Sequence, residues 1–339
     1  MNATINLEKK HFPVLLDELI SIISPLYGGS FIDCTFGQGG YTKKILENAD
    51  NKVFAIDRDL KSLKIAEDLK DKFNNRFKFE INTFSKINKI KIEEKNIKAI
   101  IFDLGFSLTQ INDPTKGLSF NHKGKLNMKM GLNDYSAHET INFLSEDDLY
   151  KIFKIFGEEQ MSKKIAKKII YERKKKIIYN EDLVKIIDIV KKNKKGKIHN
   201  STKIFQSLRI FVNKEISELI YGLINSFKIL PIGGIIAVIT FNSIEDKIVK
   251  FFFRNYSENK STSRYLPELK KKNKLFKLIS KKPILPSNNE ILKNPPSRSA
   301  KLRYGIKINN STNFDEFLVK FKSFLEVENI HKKLWKKFI

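Results

Sequence analysis

The stretch Phe31-Ile-Asp-Cys-Thr-Phe-Gly-Gln-Gly-Gly40 carries the clearest structural signal of this chain. It predicts an apolar strand that ends at Asp33, a glycine-rich turn, and a helix that begins near Tyr41. Glycine permits a tight turn close to a ligand, and the N–H groups that begin a helix face a molecule bound there. A second strand, Lys52-Val-Phe-Ala-Ile-Asp57, ends in a carboxylate twenty residues after Gly37. Nucleotide-binding α/β folds place the acid that binds ribose hydroxyls at this spacing, so the two features predict a site for a nucleoside-bearing cofactor.

The spacing of the glycines bears on the class of cofactor. A dinucleotide fingerprint requires G-x-G-x-x-G/A; here Gly37 and Gly39 fit, but the third position is Thr42, and Gly40 crowds the turn. A pyrophosphate needs the close helix approach that the third glycine allows, whereas S-adenosylmethionine has no phosphate. The motif alone therefore favours S-adenosylmethionine over NAD, and it leaves open a glycine-rich turn that binds nothing.

The charge balance points to a polyanionic partner. The 339 residues include 64 Lys and Arg against 38 Asp and Glu, a formal net charge of +26. Such an excess favours nucleic acid, although a composition typical of AT-rich genomes accounts for part of the lysine. The single cysteine, Cys34, excludes a disulfide framework and a cysteine-based zinc site. The chain shows no signal peptide pattern and no apolar run of membrane-spanning length, so we expect a cytoplasmic protein with no membrane contact and no metal.

The order of the predicted elements indicates an α/β fold with a helical insertion. Strands and helices alternate at first, which predicts a parallel sheet with helices on both faces; the strands are 31–35, 52–57, 76–81 and 98–103, and the helices are 13–24, 40–48 and 59–72. The chain then shows helical patterns only, at 135–144, 145–156, 158–176, 180–194 and 201–228, before strand patterns return at 233–241 and 299–308. We predict a Rossmann-like domain in two parts, 1–109 and 214–310, an inserted helical substrate-recognition domain at 110–213, and a C-terminal part at 311–339 formed by one amphipathic helix over 315–338.

Three predicted strands end in aspartate: Asp33, Asp57 and Asp103. Because ligands bind at the carboxyl ends of parallel strands, we expect these acids to line one crevice. Asp103-Leu-Gly-Phe106 lies where amino-group methyltransferases carry an Asn/Asp-Pro-Pro-aromatic motif, in which the polar group accepts a hydrogen bond from the target amine and the ring stacks on the base. Asp103 and Phe106 hold the first and fourth positions, but Leu-Gly replaces Pro-Pro. Asp103 is therefore a candidate catalytic residue, and Phe106 a candidate for substrate contact.

Four other polar residues are candidates for RNA or substrate contact. Asn242 and Ser243 follow a strand that should reach the same crevice. Lys203 and Arg209 lie on a predicted amphipathic helix, where they either contact phosphates or are solvated charges.

These features occur together in one family. The chain resembles the bacterial ribosomal RNA small-subunit methyltransferase H family, formerly called MraW, which methylates a cytosine N4 amine in 16S rRNA. The matching motifs follow one another in order: His11-Phe-Pro-Val-Leu-Leu-Asp-Glu18, Asp33-Cys-Thr-Phe-Gly-Gln-Gly-Gly-Tyr41, Ala55-Ile-Asp-Arg-Asp59, Asp103-Leu-Gly105, Phe205-Gln-Ser-Leu-Arg-Ile-Phe-Val-Asn213, Ser243-Ile-Glu-Asp-Lys-Ile-Val-Lys250 and Arg298-Ser-Ala-Lys-Leu-Arg303.

The resemblance implies S-adenosylmethionine as cofactor and the 16S rRNA of the small ribosomal subunit as partner; a homodimer is possible. Carried over by motif, the cofactor contacts are Gly39, Gly40, Tyr41, Asp57, Phe84, Asp103 and Gln110. Phe84 also follows the third strand, where an aromatic ring can face an adenine. Arg298 and Arg303 are further candidates for RNA contact.

Three departures from the family pattern bear on the site. Ser107-Leu-Thr-Gln110 stands for Ser-Ser-Pro-Gln, Asn127 replaces an aspartate, and Asn242 replaces a histidine. The alternatives to rRNA methylation are a methyltransferase of the same fold acting on DNA, a basic RNA-binding assembly factor without catalysis and, more distantly, a NAD-dependent oxidoreductase.

Overall fold

A computed structural model of the protein describes residues 13–91, 96–192, 199–257 and 274–335. Its centre is a sheet whose order is β3-β2-β1-β4-β5-β7-β6, with strands β1 (Gly29–Asp33), β2 (Asn51–Asp57), β3 (Phe77–Ile81), β4 (Ile97–Asp103), β5 (Ile235–Thr240), β6 (Phe276–Lys277) and β7 (Lys301–Lys307). Strands β1 to β5 are parallel, whereas β7 runs antiparallel to both of its neighbours. The Rossmann-like α/β fold predicted from the sequence is therefore confirmed.

The strands are apolar along their length because helices cover both faces of the sheet. In β4, Ile100 and Phe102 belong to the core on one face, while Ala99 and Ile101 belong to the core on the other. Parallel sheets buried on both faces have this near-continuous apolar character.

Helices α1 (Leu16–Ile23), α2 (Gly40–Leu46) and α3 (Ser62–Phe73) pack on one face of the sheet. Between β4 and β5 the chain forms α4 (Leu108–Asn112), α5 (Ala137–Phe143), α6 (Glu146–Phe156), α7 (Ser162–Arg173), α8 (Asn180–Lys191), α9 (Thr202–Asn213) and α10 (Glu215–Ile229). Then follow α11 (Ser243–Asn255), α12 (Asn288–Lys293), α13 (Asp315–Lys320), α14 (Lys322–Glu328) and α15 (Lys332–Trp335). The cluster on the second face of the sheet is continuous with the helices between β4 and β5. The division into domains at 110, 214 and 311 stays a prediction.

Two long helices predicted from the sequence are interrupted. The predicted helix 201–228 is α9 and α10, separated at Lys214, which has φ 51° in the left-handed region. The predicted helix 315–338 is α13, α14 and α15, with a break at Phe321 and a 3₁₀ turn over Asn329–His331; its last residues, 336–338, lie outside the described residues. The short strand β6 had no clear alternating pattern and was not predicted.

The described residues include no helix that is both long and apolar enough to cross a membrane. They also include no group of three or more His, Cys, Asp or Glu side chains arranged to hold a metal ion.

Helix α10 directly precedes β5, and the ammonium group of a buried lysine lies at its C-terminal end. Lys307, 3 % exposed, donates from Nζ to the carbonyl oxygens of Phe227 and Leu230 at 2.8 and 2.6 Å, and its ammonium lies 4.3 Å from the centre of the Phe227 ring. A positive charge at a helix C-terminus is favourable because the last carbonyls have no partner within the helix. Burial lowers the pKa of this lysine.

We expect Lys307→Met to destabilise the protein by about 2–3 kcal/mol, because two buried carbonyls lose a charged donor. Urea unfolding followed by circular dichroism measures the change. The matched control is Lys228→Met, the same substitution at an exposed position of α10, which should change the free energy of unfolding by less than about 0.5 kcal/mol. Equal effects of the two substitutions would contradict a role for the buried ammonium.

Candidate active site

The carboxyl ends of the parallel strands form the candidate site. Strand order reverses between β1 and β4, and a crevice opens at such a switch point. Asp33, Asp57 and Asp103 are the last residues of β1, β2 and β4. Asp33 pairs in register with Ala55 of β2 and with Ile101 of β4, so the three acids lie at one edge of the sheet.

The glycine-rich turn is tied to the end of β2. The Gly37 N–H donates to Asp57 Oδ2 at 2.6 Å, and the Asp59 N–H donates to Asp57 Oδ1 at 2.8 Å. Burial raises the pKa of Asp57. Each carboxylate oxygen has a second lone pair, so Asp57 retains acceptor capacity for a ligand hydroxyl.

Gly39 is favoured by both backbone geometry and packing, and Gly40 by packing alone. Gly39 has φ 71°, and a Cβ there would lie 2.9 Å from the ring of Phe36; a Cβ at Gly40 would lie 2.1 Å from Cγ of Pro13. A side chain at either position would therefore require a shift of α2 or of the residue that it meets. The preceding motif residues His11 and Phe12 lie outside the described residues.

Asp103 has a buried carboxylate oxygen with no partner. Tyr41 donates from its hydroxyl to Asp103 Oδ2 at 3.3 Å and to the carbonyl oxygen of Val14 at 2.5 Å. The main-chain N–H of Asp103 is held by Thr35 Oγ1 at 2.7 Å. Asp103 Oδ1 is buried and accepts no hydrogen bond from the described residues.

The acids at this edge of the sheet are buried close to one another, and their pKa values are raised. Burial, and then the charge of Asp33, raises the pKa of Asp103 to about 8. Asp33 accepts from Thr42 Oγ1 at 2.8 Å, and burial nevertheless raises its pKa to about 6. A positively charged group bound beside these acids would stabilise their ionised forms, whereas a phosphate would disfavour them.

A buried ion cluster joins α9, α10 and the first turn of α11. Arg209 of α9 makes a bidentate pair with Glu215 of α10, at 2.8 and 2.9 Å, and its guanidinium lies 3.8 Å from Glu245. The same guanidinium lies 4.8 Å from the centre of the Phe106 ring, which is 38 % exposed. Asp103 pairs in register with Ile239 of β5, and Glu245 accepts from the N–H of Phe241 just after that strand, so Glu245 lies at the same end of the sheet as Asp103.

Glu245 and Asn242 form the N-terminal cap of α11. Asn242 Oδ1 accepts from the N–H groups of Ile244 and Glu245, both at 3.0 Å, and Glu245 Oε2 accepts from the N–H of Phe241 at 2.8 Å. This is a capping box. Burial raises the pKa of Glu245 to about 7 despite the opposing effect of Arg209. Asn242 Nδ2 is buried and has no partner in the described part of the chain.

The loop after β4 is held to the loop after β2. Ser107 caps α4 in a capping box with Gln110, so the helix forms although Leu-Thr stands where the family has Ser-Pro. Gln110 Nε2 donates to Asp59 Oδ2 at 2.7 Å, and Lys116 pairs with the same oxygen at 3.3 Å. Gln110 therefore reaches the β2 end of the crevice.

Phe84 begins a 3₁₀ turn after β3 and is partly buried. Its ring meets Phe102 edge to face at 5.3 Å. A Cβ at Gly222 of α10 would lie 2.6 Å from this ring, so α10 sets the position of Phe84.

The Asn127 side chain donates to the Thr115 carbonyl at 3.3 Å and accepts from the Lys129 N–H at 3.4 Å. An amide can supply both bonds, whereas an ionised aspartate could supply only the second.

The structure separates the four predicted basic contacts into two groups. Arg209 is 12 % exposed and Arg303 is 9 % exposed, paired through Nε with Asp246 Oδ1 at 2.7 Å. Their guanidinium groups serve buried ion pairs rather than an exposed face. Arg298 is exposed, and Lys203 donates to the Glu158 carbonyl in an exposed contact at 3.0 Å.

Two residues of the site were not among the predicted ones. Glu245 had a sequence signal, since Asn242-Ser-Ile-Glu245 matches a capping box. Glu215 had none, because its contact with Arg209 depends on the left-handed backbone at Lys214. Ser243, which was predicted, donates to Glu158 Oε2 at 3.2 Å on the exposed side of α11.

Comparisons with known proteins identify the family. Residues 8–308 match the model of the MraW methylase family. The chain is 41 % identical over 301 residues to the ribosomal RNA small subunit methyltransferase H of Bartonella bacilliformis, covering 88 % of this chain and 90 % of the relative. It is 41 % identical over 308 residues to the protein of the same name from Rickettsia bellii, covering 89 % and 100 %. Among solved structures, an rRNA methylase from Streptococcus thermophilus is similar with 12 % identity and a TM-score of 0.35, covering 86 % of this chain and 96 % of that one. The chain belongs to the MraW methylase family.

Proposed function

We propose that this protein transfers a methyl group from S-adenosylmethionine to the exocyclic N4 amine of a specific cytosine in the 16S rRNA of the small ribosomal subunit. Membership of the family and the names of the relatives support rRNA as the substrate class. The observation that carries the chemistry is the buried oxygen of Asp103 at the end of β4, which has no partner among the described residues; the partly exposed ring of Phe106 follows three residues later in the chain.

The residues present fit S-adenosylmethionine better than a dinucleotide. Asp57 would accept from the ribose hydroxyls, Phe84 would pack against the adenine, and Gly39, Gly40 and Tyr41 would border the rest of the molecule. Asp33 and Asp103 lie at the same edge with raised pKa values, so a cationic sulfonium would be stabilised there and a pyrophosphate repelled. When bound, the cofactor supplies an electrophilic methyl group on a positively charged sulfur.

Asp103 would act on the amine. The lone pair of a cytosine amine is delocalised into the ring, so the amine is a poor nucleophile. A hydrogen bond accepted by Asp103 Oδ1 would localise the lone pair and fix the amine for in-line displacement. Phe106 would stack on the base, which must leave its helix or loop to enter the crevice, while Arg209 fixes the ring.

No strong base is required. The methylated amine is briefly cationic and loses its proton readily, even to water. Asn242, which stands where the family has histidine, has its side-chain oxygen committed to the cap of α11. We therefore expect asparagine at position 242, in place of the family's histidine, to be compatible with activity.

Labelled methyl transfer tests the proposal against its alternatives. Purified protein and methyl-labelled S-adenosylmethionine are incubated with one of three substrates. These are small subunits from a strain lacking the enzyme, the RNA extracted from those subunits, and DNA. Mass analysis of nucleosides should find N4-methylated cytidine in the RNA. Label in DNA alone would favour the DNA methyltransferase, and RNA binding without cofactor binding in calorimetry would favour an assembly factor.

RNA binding should weaken steeply with salt, because lysine and arginine release counterions from the phosphates that they neutralise. We expect Lys203→Ala and Arg298→Ala each to lower the slope of log K against log salt by about one unit. Filter binding or fluorescence anisotropy at several salt concentrations measures it. Lys228→Ala, on an exposed part of α10, is the control. Unchanged slopes in both variants would place the RNA-binding face elsewhere, and cofactor affinity should be constant in all of them.

A further inference from the structure

The chain continues past the part that matches the family model, which ends at residue 308. Of this extension, residues 309–335 are described, and they fold back as α13, α14 and α15. Their apolar side chains enter the core that is continuous with the helices between β4 and β5; these are Phe314, Phe317, Phe321, Val327, Ile330 and Leu334. The extension is therefore an integral part of the fold.

Glu328 at the end of α14 caps a helix that is distant in sequence. It is 3 % exposed, and its two oxygens accept from the N–H groups of Ile216 and Ser217 at 2.8 and 2.9 Å. These N–H groups belong to the first turn of α10, where no partner exists within the helix. A carboxylate at this position also interacts favourably with the helix dipole.

The extension also contacts the end of α9, the helix that precedes α10, and it does so through His331. The imidazole stacks on the ring of Tyr135 at 5.7 Å and 8°. The Tyr135 hydroxyl donates to the carbonyl oxygen of Phe211, in the last turn of α9, at 2.9 Å. A further ion pair, Lys333 to Asp148 at 2.6 Å, ties α15 to α6.

The turn at Lys214 between α9 and α10, here called the α9–α10 corner, connects the two halves of the buried ion cluster. Arg209 comes from α9 and Glu215 from α10, and between them the chain turns at Lys214 with φ 51°. Ile216 and Ser217, which Glu328 holds, directly follow Glu215. A shift of the first turn of α10 would therefore move Glu215, then Arg209, and with it the support of the Phe106 ring.

This inference rests on the methyl transfer proposed above. We propose that the C-terminal extension holds the α9–α10 corner in the geometry that methyl transfer requires, with Glu328 as a positioning residue that acts through Glu215 and Arg209. Misplacement of groups in an active site by about 1 Å can cost 100-fold in rate. A partial loss of the cap should therefore be visible in turnover before the protein unfolds.

Glu328→Gln tests the proposal, since the amide keeps the size of the side chain but leaves one oxygen to accept two N–H groups. The control is Glu326→Gln on the same helix, where the glutamate side chain is 63 % exposed. Both variants are assayed for methyl transfer at a temperature at which circular dichroism shows them folded. We expect kcat to fall about tenfold in Glu328→Gln, with the affinity for S-adenosylmethionine and the KM for small subunits unchanged, and wild-type values in Glu326→Gln.

A double-variant cycle separates positioning from a general loss of stability. In a Glu215→Gln background the connection to Arg209 is already weakened, so Glu328→Gln should lower kcat by a much smaller factor than in the wild type. The same factor in both backgrounds, or a wild-type kcat in folded Glu328→Gln, would overturn the proposal. If Glu328→Gln does not fold, Glu328→Asp, which withdraws the carboxylate by one methylene, is judged by the same criteria. A wild-type protein without methyl transfer would instead overturn the proposed function, and this inference with it.

Discussion

Replacing Asp103 by alanine should lower kcat for methyl transfer by about 100- to 1000-fold in a protein that remains folded. Alanine removes the buried oxygen that we propose accepts a hydrogen bond from the target amine, whereas asparagine would keep an acceptor there. Single-turnover incorporation of labelled methyl groups into small subunits measures the chemical step. The control is Asp50→Ala, an exposed position before β2 at the opposite end of the sheet. Near wild-type turnover in Asp103→Ala would make this residue purely structural.

A different substitution of the same residue, Asp103→Asn, should stabilise the protein at neutral pH. The pKa of Asp103 is about 8 in the folded protein, against 3.8 for an unperturbed aspartate, because of burial and then the charge of Asp33. Between these values the folded protein binds more protons at this site than the unfolded chain, so the free energy of unfolding falls as pH rises from about 4 to about 8. Asparagine removes this dependence. Urea unfolding should therefore show Asp103→Asn more stable than the wild type at pH 8, with the difference shrinking toward pH 4.

How much of this site the sequence predicts depends on how local each signal is. The strand-end acids Asp33, Asp57 and Asp103 were placed at one edge because apolar runs mark the strands and the order of a parallel sheet gathers their carboxyl ends. The glycine-rich turn was recognised for the same reason, since its residues are adjacent in the chain.

The ion cluster behind Phe106 could not be predicted in this way. Arg209 lies on an amphipathic helix, where an exposed charge is the ordinary expectation, and its burial depends on the left-handed turn at Lys214. Glycine is the usual residue for such a turn, so a lysine gave no signal of a helix end. The cap of α10 by Glu328 joins residues 112 positions apart, and no spacing rule connects them.

Arg209→Met should destabilise the protein by about 3–5 kcal/mol, because it leaves two largely buried carboxylates without a counter-charge. Glu215 would lose its bidentate partner, and Glu245, 4 % exposed, would lose the cation that lowers its pKa. Urea unfolding at pH 7 measures the change. Lys203→Met is the matched control, on the same helix but with an exposed contact to a single carbonyl, and should shift the free energy of unfolding by less than about 0.5 kcal/mol.

A second substitution distinguishes the stability of this cluster from its role in the reaction. In Arg209→Met/Glu215→Leu the unpaired carboxylate of Glu215 is replaced by an apolar group, which should recover much of the lost stability. Methyl transfer should not recover, because the Phe106 ring still lacks the guanidinium that lies 4.8 Å from its centre. If the double variant regained wild-type turnover, Arg209 would serve only to neutralise Glu215. If Arg209→Met were as stable as the wild type, the buried ion cluster would not contribute to the stability of the fold.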